Sequence, residues 1–129
     1  MKRKCSSLEH VNITVPDPER TAALLIALFG WRQRWRGVQS DGRLAIHVGG
    51  TDSYLSLYAP EPGQPPRPAQ YGRPLNHIGI IVDDLDAAEH NVTEAGLETF
   101  GHGTYEPGRR FYFFDPDGVE FEVVSYAGA

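Results

Sequence analysis

Several features that tie a chain to a particular environment are scarce in this sequence. Its 129 residues include a single cysteine, Cys5, so an internal disulfide is impossible and a reducing, cytoplasmic setting is expected. No apolar run approaches the roughly 20 residues of a membrane span, and none follows the basic start as a signal peptide would require. The net charge of −5 comes without a basic cluster, which argues against nucleic acid as the partner. A small molecule is expected instead.

An internal repeat divides the chain into two similar halves. Residues 8–17, LEHVNITVPD, recur as residues 75–84, LNHIGIIVDD, with five of ten positions identical at an offset of 67. A separate domain of about 60 residues is only marginally stable, so the two halves are expected to share a core. We therefore predict one domain, 1–129, made of a first module at about 8–58, a proline-rich linker at 59–74 and a second module at about 75–126.

Each half has the pattern of one strand, one helix and three further strands. Asp17 is placed to cap the first helix, Pro18 suits its first position, and Gly30 ends it. Asp84 is placed to cap the second helix, Leu85–Ala95. After each helix the apolar residues alternate with a period of two, which predicts the strands Trp31–Gly37, Arg43–Val48, Tyr54–Tyr58, Leu97–Gly101, Phe111–Phe114 and Glu120–Ser125.

The first strand of each half presents a histidine opposite its apolar face. Aliphatic residues that must cover a helix alternate with His10 in the first half, and the same alternation leaves His77 on the open face in the second. In the last strand Glu120 and Glu122 share a face, where ionised carboxylates need water, a cation or a hydrogen-bond donor. Two imidazoles and a carboxylate fit divalent iron, manganese, nickel or zinc, with positions left for water and substrate.

The repeated start, the order of elements and above all Phe111–Glu122, FYFFDPDGVEFE, resemble the vicinal oxygen chelate superfamily. This superfamily includes glyoxalase I, extradiol dioxygenases, fosfomycin-resistance thiol transferases and bleomycin-resistance proteins. The resemblance covers about Leu8–Tyr126 and implies an α+β fold, in which two tandem βαβββ modules form a mixed sheet that curls around a cleft. Family metal ligands usually lie on the first strand of each module and on a last strand, which matches His10, His77 and Glu122.

Departures from the family patterns narrow the expected reaction. Ser56 stands where glyoxalase I would offer a fourth ligand, and a hydroxyl is a poor substitute for a carboxylate. The residues that hold a phosphonate in fosfomycin-resistance enzymes are not evident, and Asn12 replaces the threonine expected there. Extradiol dioxygenases generally add an acid or base histidine, for which His47 and His102 are candidates. We expect a metal-dependent lyase, isomerase or dioxygenase acting on a small oxygenated substrate. The alternative is a metal-free binding protein of the bleomycin-resistance type.

The remaining candidates are predicted to contact the substrate. Tyr112 is the candidate catalytic residue, because its phenol beside Glu122 is able to hydrogen-bond a substrate oxygen; the alternative is an aromatic ring packed in the sheet. Arg109 and Arg110 follow a Pro-Gly pair and are candidates to clamp an anionic substrate, or else are solvated. The substrate contacts selected are Asn12, Tyr54, Ser56 and Arg109. The resemblance also implies a homodimer, with each cleft built within one chain or across two.

Overall fold

The computed structural model describes residues 5–63, 72–103 and 108–126, so residues 64–71 of the predicted linker lie outside it. The described residues form two helices and eight strands, in the chain order β1 (His10–Thr14), α1 (Pro18–Phe29), β2 (Arg32–Val38), β3 (Leu44–Gly49), β4 (Tyr54–Tyr58), β5 (Ile78–Ile81), α2 (Leu85–Glu94), β6 (Thr99–Gly103), β7 (Arg109–Phe114) and β8 (Glu120–Ser125). They fall into two compact units that follow the two halves of the repeat, except that Ala27–Phe29 group with the second.

The two modules have the same sheet topology. The first sheet has the strand order β1-β4-β3-β2, and the second has the order β5-β8-β7-β6. In each sheet the first strand of the module pairs in parallel with the last, while the other neighbours are antiparallel. The predicted α+β class and the βαβββ order are therefore confirmed, with the described strands arranged as two mixed sheets of four.

Both helices begin where the sequence predicted. The Asp17 carboxylate accepts a hydrogen bond from the Arg20 backbone N–H at 3.2 Å, and the Asp84 carboxylate accepts one from Ala87 at 3.0 Å. Gly30 ends α1 with a φ of 68°, a left-handed conformation that glycine adopts without steric cost. Neither described helix is long and apolar enough to cross a membrane.

Strand β7 begins two residues earlier than predicted, so the two arginines assigned to a loop belong to the sheet. Arg109 pairs with Ser125 and Arg110 pairs with Val124, because β8 extends far enough to supply backbone partners for both. Alternation along β7 then points the two guanidinium groups to opposite faces of the sheet. This difference decides which arginine lies near the candidate site.

One face of each sheet is apolar and buried. In the first module this face includes Ile46, Val48, Leu55 and Leu57, none of them more than 5% exposed. In the second module it is made of aromatic and aliphatic side chains, namely Phe111, Phe113, Phe121 and Val123, all fully buried. The alternation predicted for the first strand is confirmed, since Val11 and Ile13 are partly buried while His10, Asn12 and Thr14 are exposed. The opposite, open faces carry the candidate site residues.

Candidate functional site

Strand register places the predicted residues of the two modules at equivalent positions. In the first module His10 pairs with Tyr54 and Asn12 pairs with Ser56. In the second module Gly79 pairs with Glu122, which is the pairing equivalent to that of Asn12 and Ser56. The 67-residue repeat found in the sequence therefore corresponds to a structural repeat. Each module presents one set of candidate residues on its open face.

The open face of the first module contains a pocket of about 560 Å³. It brings together four of the predicted site residues, His10, Asn12, Tyr54 and Ser56. Histidine, aromatic and amide side chains complete the lining: Trp35, Gln39, His47 and Tyr58. Trp35 was not among the binding residues predicted from the sequence, because a tryptophan on a strand was expected to pack rather than bind.

Four rings form a continuous row across this sheet. The ring centroids are 4.9 Å apart for His10 and Tyr54, 4.5 Å for Tyr54 and His47, and 4.9 Å for His47 and Trp35. The guanidinium of Arg34 lies 4.5 Å from the Tyr54 ring centroid. Strand β2 has a β-bulge between Gln33 and Trp35. The bulge lets the successive side chains of Arg34 and Trp35 reach the same face of the sheet. We call the side chains of His10, Tyr54, His47 and Trp35 the aromatic row.

A hydrogen bond between side chains lies beside the aromatic row. The Asn12 Nδ2 donates to the Ser56 Oγ at 2.9 Å. Ser56 is only 2% exposed, so this bond satisfies a hydroxyl that would otherwise be buried without a partner. Both side chains line the pocket, in keeping with their predicted position.

Burial and charge adjust the ionisation of this face. Burial lowers the pKa of His47, and the nearby His10 lowers it further. The hydrogen bond with His10, whose Nδ1 lies 2.5 Å from the Glu9 Oε1, lowers the pKa of Glu9. Desolvation raises the pKa of the Tyr54 phenol. Charged groups therefore lie beside the aromatic rings of this face, namely the Glu9 carboxylate next to His10 and the Arg34 guanidinium over Tyr54.

The open face of the second module is charged instead. His77 Nε2 lies 3.0 Å from the Glu122 Oε1, and Arg110 Nη1 donates to the Glu122 Oε2 at 2.8 Å. The side chains of Glu122 and Arg110 are only 12% and 14% exposed, so the contact is far less screened than a surface ion pair. Each oxygen of Glu122 therefore has a different neighbour.

The other ring nitrogen of His77 also has polar neighbours. Its Nδ1 lies 2.7 Å from the Asn76 Oδ1 and 3.8 Å from the Glu120 Oε2. If Nδ1 donates its proton to Asn76, the lone pair of Nε2 is available to a metal ion, which is how ligating histidines are usually oriented. Glu120 is 7% exposed, and its Oε1 has no hydrogen-bond partner among the described residues.

The spacing of His77 and Glu122 fits two adjacent ligands of one divalent cation. Ligands that bind a metal at about 2.1 Å and at right angles to each other lie about 3 Å apart. The space beside them is open, because a Cβ added to Gly79, which faces Glu122 in the ladder, would meet nothing within 4 Å. Within residues 5–63, 72–103 and 108–126, no three His, Cys, Asp or Glu side chains converge as a preformed metal site.

The two remaining candidates lie on opposite faces of β7. Tyr112 pairs with Glu122 and meets the His77 ring edge-on, with centroids 5.7 Å apart, so it faces the candidate site as predicted. Arg109 lies on the helix-covered face, where it donates to the Asp86 Oδ1 at 3.0 Å. A contact between Arg109 and the substrate stays a prediction, and the position of Arg109 beside Asp86 does not support it. Arg110 instead contacts Glu122; correct strand bounds for β7 would have identified it from the sequence.

The two histidines predicted as additional acids or bases, His47 and His102, lie in different surroundings. His47 lines the first-module pocket. His102 lies on β6, where its Nε2 is 2.6 Å from the Glu89 Oε2 of α2. Because this contact ties a strand to a helix, His102 has a structural explanation that His47 lacks.

Comparisons with known proteins agree on one family. The sequence model of the Glyoxalase/Bleomycin resistance protein/Dioxygenase superfamily matches residues 7–123. Comparison with curated proteins gave no significant match. Among solved structures, a glyoxylase/bleomycin resistance protein/dioxygenase domain from Frankia sp. EAN1pec is 21% identical, with a TM-score of 0.82 and coverage of 95% of this chain and 98% of that one.

Fosfomycin resistance proteins are also similar in structure. FosX from Mesorhizobium loti is 25% identical, with a TM-score of 0.70 and coverage of 94% of this chain and 92% of that chain. FosX from Listeria monocytogenes, solved in complex with Mn(II) and a sulfate ion, is 21% identical, with a TM-score of 0.72 and coverage of 98% and 95%. These structures share the fold described above.

Proposed function

Because the chain belongs to the glyoxalase/bleomycin resistance protein/dioxygenase superfamily, we propose that it is a metal-dependent enzyme acting on a small oxygenated substrate. The reaction is of the lyase, isomerase or dioxygenase type. The observation that carries the proposal is the pair of His77 and Glu122, whose Nε2 and Oε1 lie 3.0 Å apart on an open sheet face. A half-buried imidazole–carboxylate pair with free space beside it is suited to a divalent cation.

The proposed ligands are His10, His77 and Glu122, and the proposed ion is iron, manganese, nickel or zinc. His10 is the third ligand because it occupies, in the first module, the position that His77 occupies in the second. The Mn(II) complex of FosX from Listeria monocytogenes supports a divalent ion. When bound, such an ion supplies positive charge that polarises substrate oxygens and stabilises a developing enolate or alkoxide.

The other proposed roles belong to side chains of the two open faces. The Tyr112 phenol donates a hydrogen bond to a substrate oxygen, since it lies beside His77 and Glu122. Asn12, Tyr54 and Ser56 contact the substrate from the first-module pocket. We retain the homodimer as part of the proposal, because family members commonly pair their modules within or across chains.

Metal content tests this proposal directly. Untagged protein is purified without chelator, offered Mn(II), desalted and analysed for metal per chain, alongside His10→Ala, His77→Ala and Glu122→Ala. The control is His90→Ala, which removes a largely exposed imidazole on α2. We expect near-stoichiometric metal in the wild type and the control, and its loss from the three variants with folding retained by circular dichroism. Unchanged metal content in His77→Ala would refute the ligand assignment.

The metal that co-purifies also directs the search for the reaction. Iron would lead to assays of oxygen uptake, whereas manganese, nickel or zinc would lead to isomerase and thiol-transfer assays. If no metal is retained or taken up, the second candidate function applies, which is binding of a small molecule without catalysis. The observation that favours this second function is the pocket of about 560 Å³ in the first module.

A further inference from the structure

Trp35 is the exposed end of the aromatic row. Its side chain is 46% exposed although it is the largest apolar residue lining the pocket. A Cβ added at Gly37 would come within 2.4 Å of the indole, so the ring lies directly against the backbone of its own strand. Glycine at this position therefore makes room for the indole, part of whose surface stays exposed.

The inner rings of the row are already in contact with protein groups. Tyr54 stacks with His10 at an interplanar angle of 11° and with His47 at 27°, and Arg34 lies over it as well. Trp35 meets His47 at 46°, which tilts the indole out of the stack. An incoming flat ring therefore finds its stacking surface on Trp35 rather than on Tyr54.

The polar groups of the pocket are hydrogen-bonding but uncharged. Asn12, Gln39 and Ser56 supply amide and hydroxyl groups, and Tyr58 adds a phenol. No carboxylate is among the described residues that line the pocket, whereas the Arg34 guanidinium lies at its edge over Tyr54. Glu9 adjoins the pocket through His10 and Tyr54, so hydroxyl or carboxylate oxygens of a ligand are expected to face the amide and hydroxyl groups and the Arg34 guanidinium instead.

We propose that the first-module pocket binds a planar aromatic ring bearing hydroxyl or carboxylate groups, with Trp35 as its stacking partner. This inference rests on the proposed function in that it names the substrate class of the same site. The ring lies against the indole, and its oxygen substituents face the amide and hydroxyl side chains of Asn12, Gln39 and Ser56.

A matched pair of probes separates stacking from general apolar binding. Mn(II)-treated protein is titrated calorimetrically with 4-hydroxybenzoate and with trans-4-hydroxycyclohexanecarboxylate, which has the same substituents on a ring that is not flat. We expect the aromatic probe to bind at least tenfold more tightly. Trp35→Leu is expected to remove that preference, while Tyr126→Leu, which truncates an aromatic side chain of equal exposure at 47%, keeps it. Equal binding of the two probes by the wild type would overturn the inference.

Metal analysis of the same samples separates this inference from the proposed function. Trp35→Leu is expected to keep its metal, because the indole is not a proposed ligand. Probe preference in a wild type that takes up no metal would refute the metal-dependent enzyme and support the aromatic pocket. Metal uptake without probe preference would do the reverse. An unchanged preference in Trp35→Leu would also reject the inference.

Discussion

At the paired position where the first module has Asn12 and Ser56, the second module has Gly79 and Glu122. The first pair forms a hydrogen bond between neutral side chains, whereas the second places a carboxylate beside open space. Likewise Tyr54, which stacks with His10, corresponds to Glu120, which lies near His77. The two modules therefore have the same pairings and chemically different open faces.

This difference shows how two modules of one repeat can take different roles in one protein. The buried face of each sheet must remain apolar, because the stability of the module depends on it. The open face has no such requirement beyond solubility and satisfied hydrogen bonds. The first module has a face of stacked aromatic rings suited to holding a flat molecule, and the second has an ionic face suited to a cation.

The largest expected effect comes from giving the second module the side chain of the first. Glu122→Ser replaces the carboxylate with the group found at Ser56, and it also leaves Arg110 without its charge partner. We expect Mn(II) affinity to fall by about a hundredfold or more, since a lost ligand costs at least as much as a lost outer partner. Isothermal titration with Mn(II) measures this, with Glu94→Gln on α2 as the control. Wild-type affinity in Glu122→Ser would remove the proposed distinction between the faces.

Arg110 is expected to weaken metal binding rather than support it. Its guanidinium holds the Glu122 Oε2 at 2.8 Å and would stand near a bound cation. Removing it in Arg110→Met should tighten Mn(II) binding by about tenfold, because repulsion between nearby like charges is lost. Arg110→Lys, which keeps the charge, should stay close to the wild type. Weaker binding in Arg110→Met would show that the arginine mainly holds Glu122 in position.

Equivalent positions on the first strands should respond oppositely to alanine. Asn12→Ala leaves the buried Ser56 hydroxyl without its partner and is expected to lower the free energy of unfolding by about 1 kcal/mol. Gly79→Ala adds a Cβ into open space on a strand and is expected to raise it by about 0.5 kcal/mol. Urea denaturation of both variants gives the comparison. A loss of stability in Gly79→Ala would mean that the space beside the Gly79 backbone is occupied in solution.

The last comparison concerns how each helix is joined to the strand that follows it. In the second module Glu89 accepts hydrogen bonds from Thr99 at 2.5 Å and from His102 at 2.6 Å, and these bonds lower its pKa. In the first module the corresponding link is the exposed ion pair of Glu19 and Arg36. Glu89→Gln should cost about 1 kcal/mol at neutral pH, whereas Glu19→Gln should cost less.

The pH dependence of Glu89→Gln has a definite sign. A carboxylate with a lowered folded-state pKa contributes stability above its ordinary value of 4.5 and loses it as the pH falls through the folded value. The difference in free energy of unfolding between the wild type and Glu89→Gln should therefore be at its full size at pH 6 and shrink below about pH 4.5. A difference that stays constant as the pH falls would exclude ionisation of Glu89 as its cause.

Patterns that depend on neighbouring residues were sufficient to predict the scaffold. Caps at Asp17 and Asp84 and the period-two strands gave the element order, because these signals are local in the chain. The repeat also predicted the faces of His10 and His77, since side-chain direction follows from alternation once one face is known to be buried.

The misplaced details all depend on strand ends and register. Arg109 and Arg110 were both expected to precede β7, and Arg109 was selected as the substrate contact. The two further residues of β7 decide which guanidinium faces Glu122. Trp35 was not selected because an aromatic residue on a strand was expected to pack rather than bind, and the bulge at Arg34 changes which β2 side chains share a face. Such shifts follow from pairing with distant strands, which a local pattern does not report.

The parallel pairing of β1 with β4 has a consequence for how the protein is made. His10 finds its strand partner only in Tyr54, so a ribosome must complete the rest of the first module before β1 can join its sheet. The same holds in the second module, where β5 pairs with β8 at the far end of the chain. Contacts between distant residues form slowly because a long loop must close first. Pairing of the first strand therefore closes a loop that spans nearly the whole of each module.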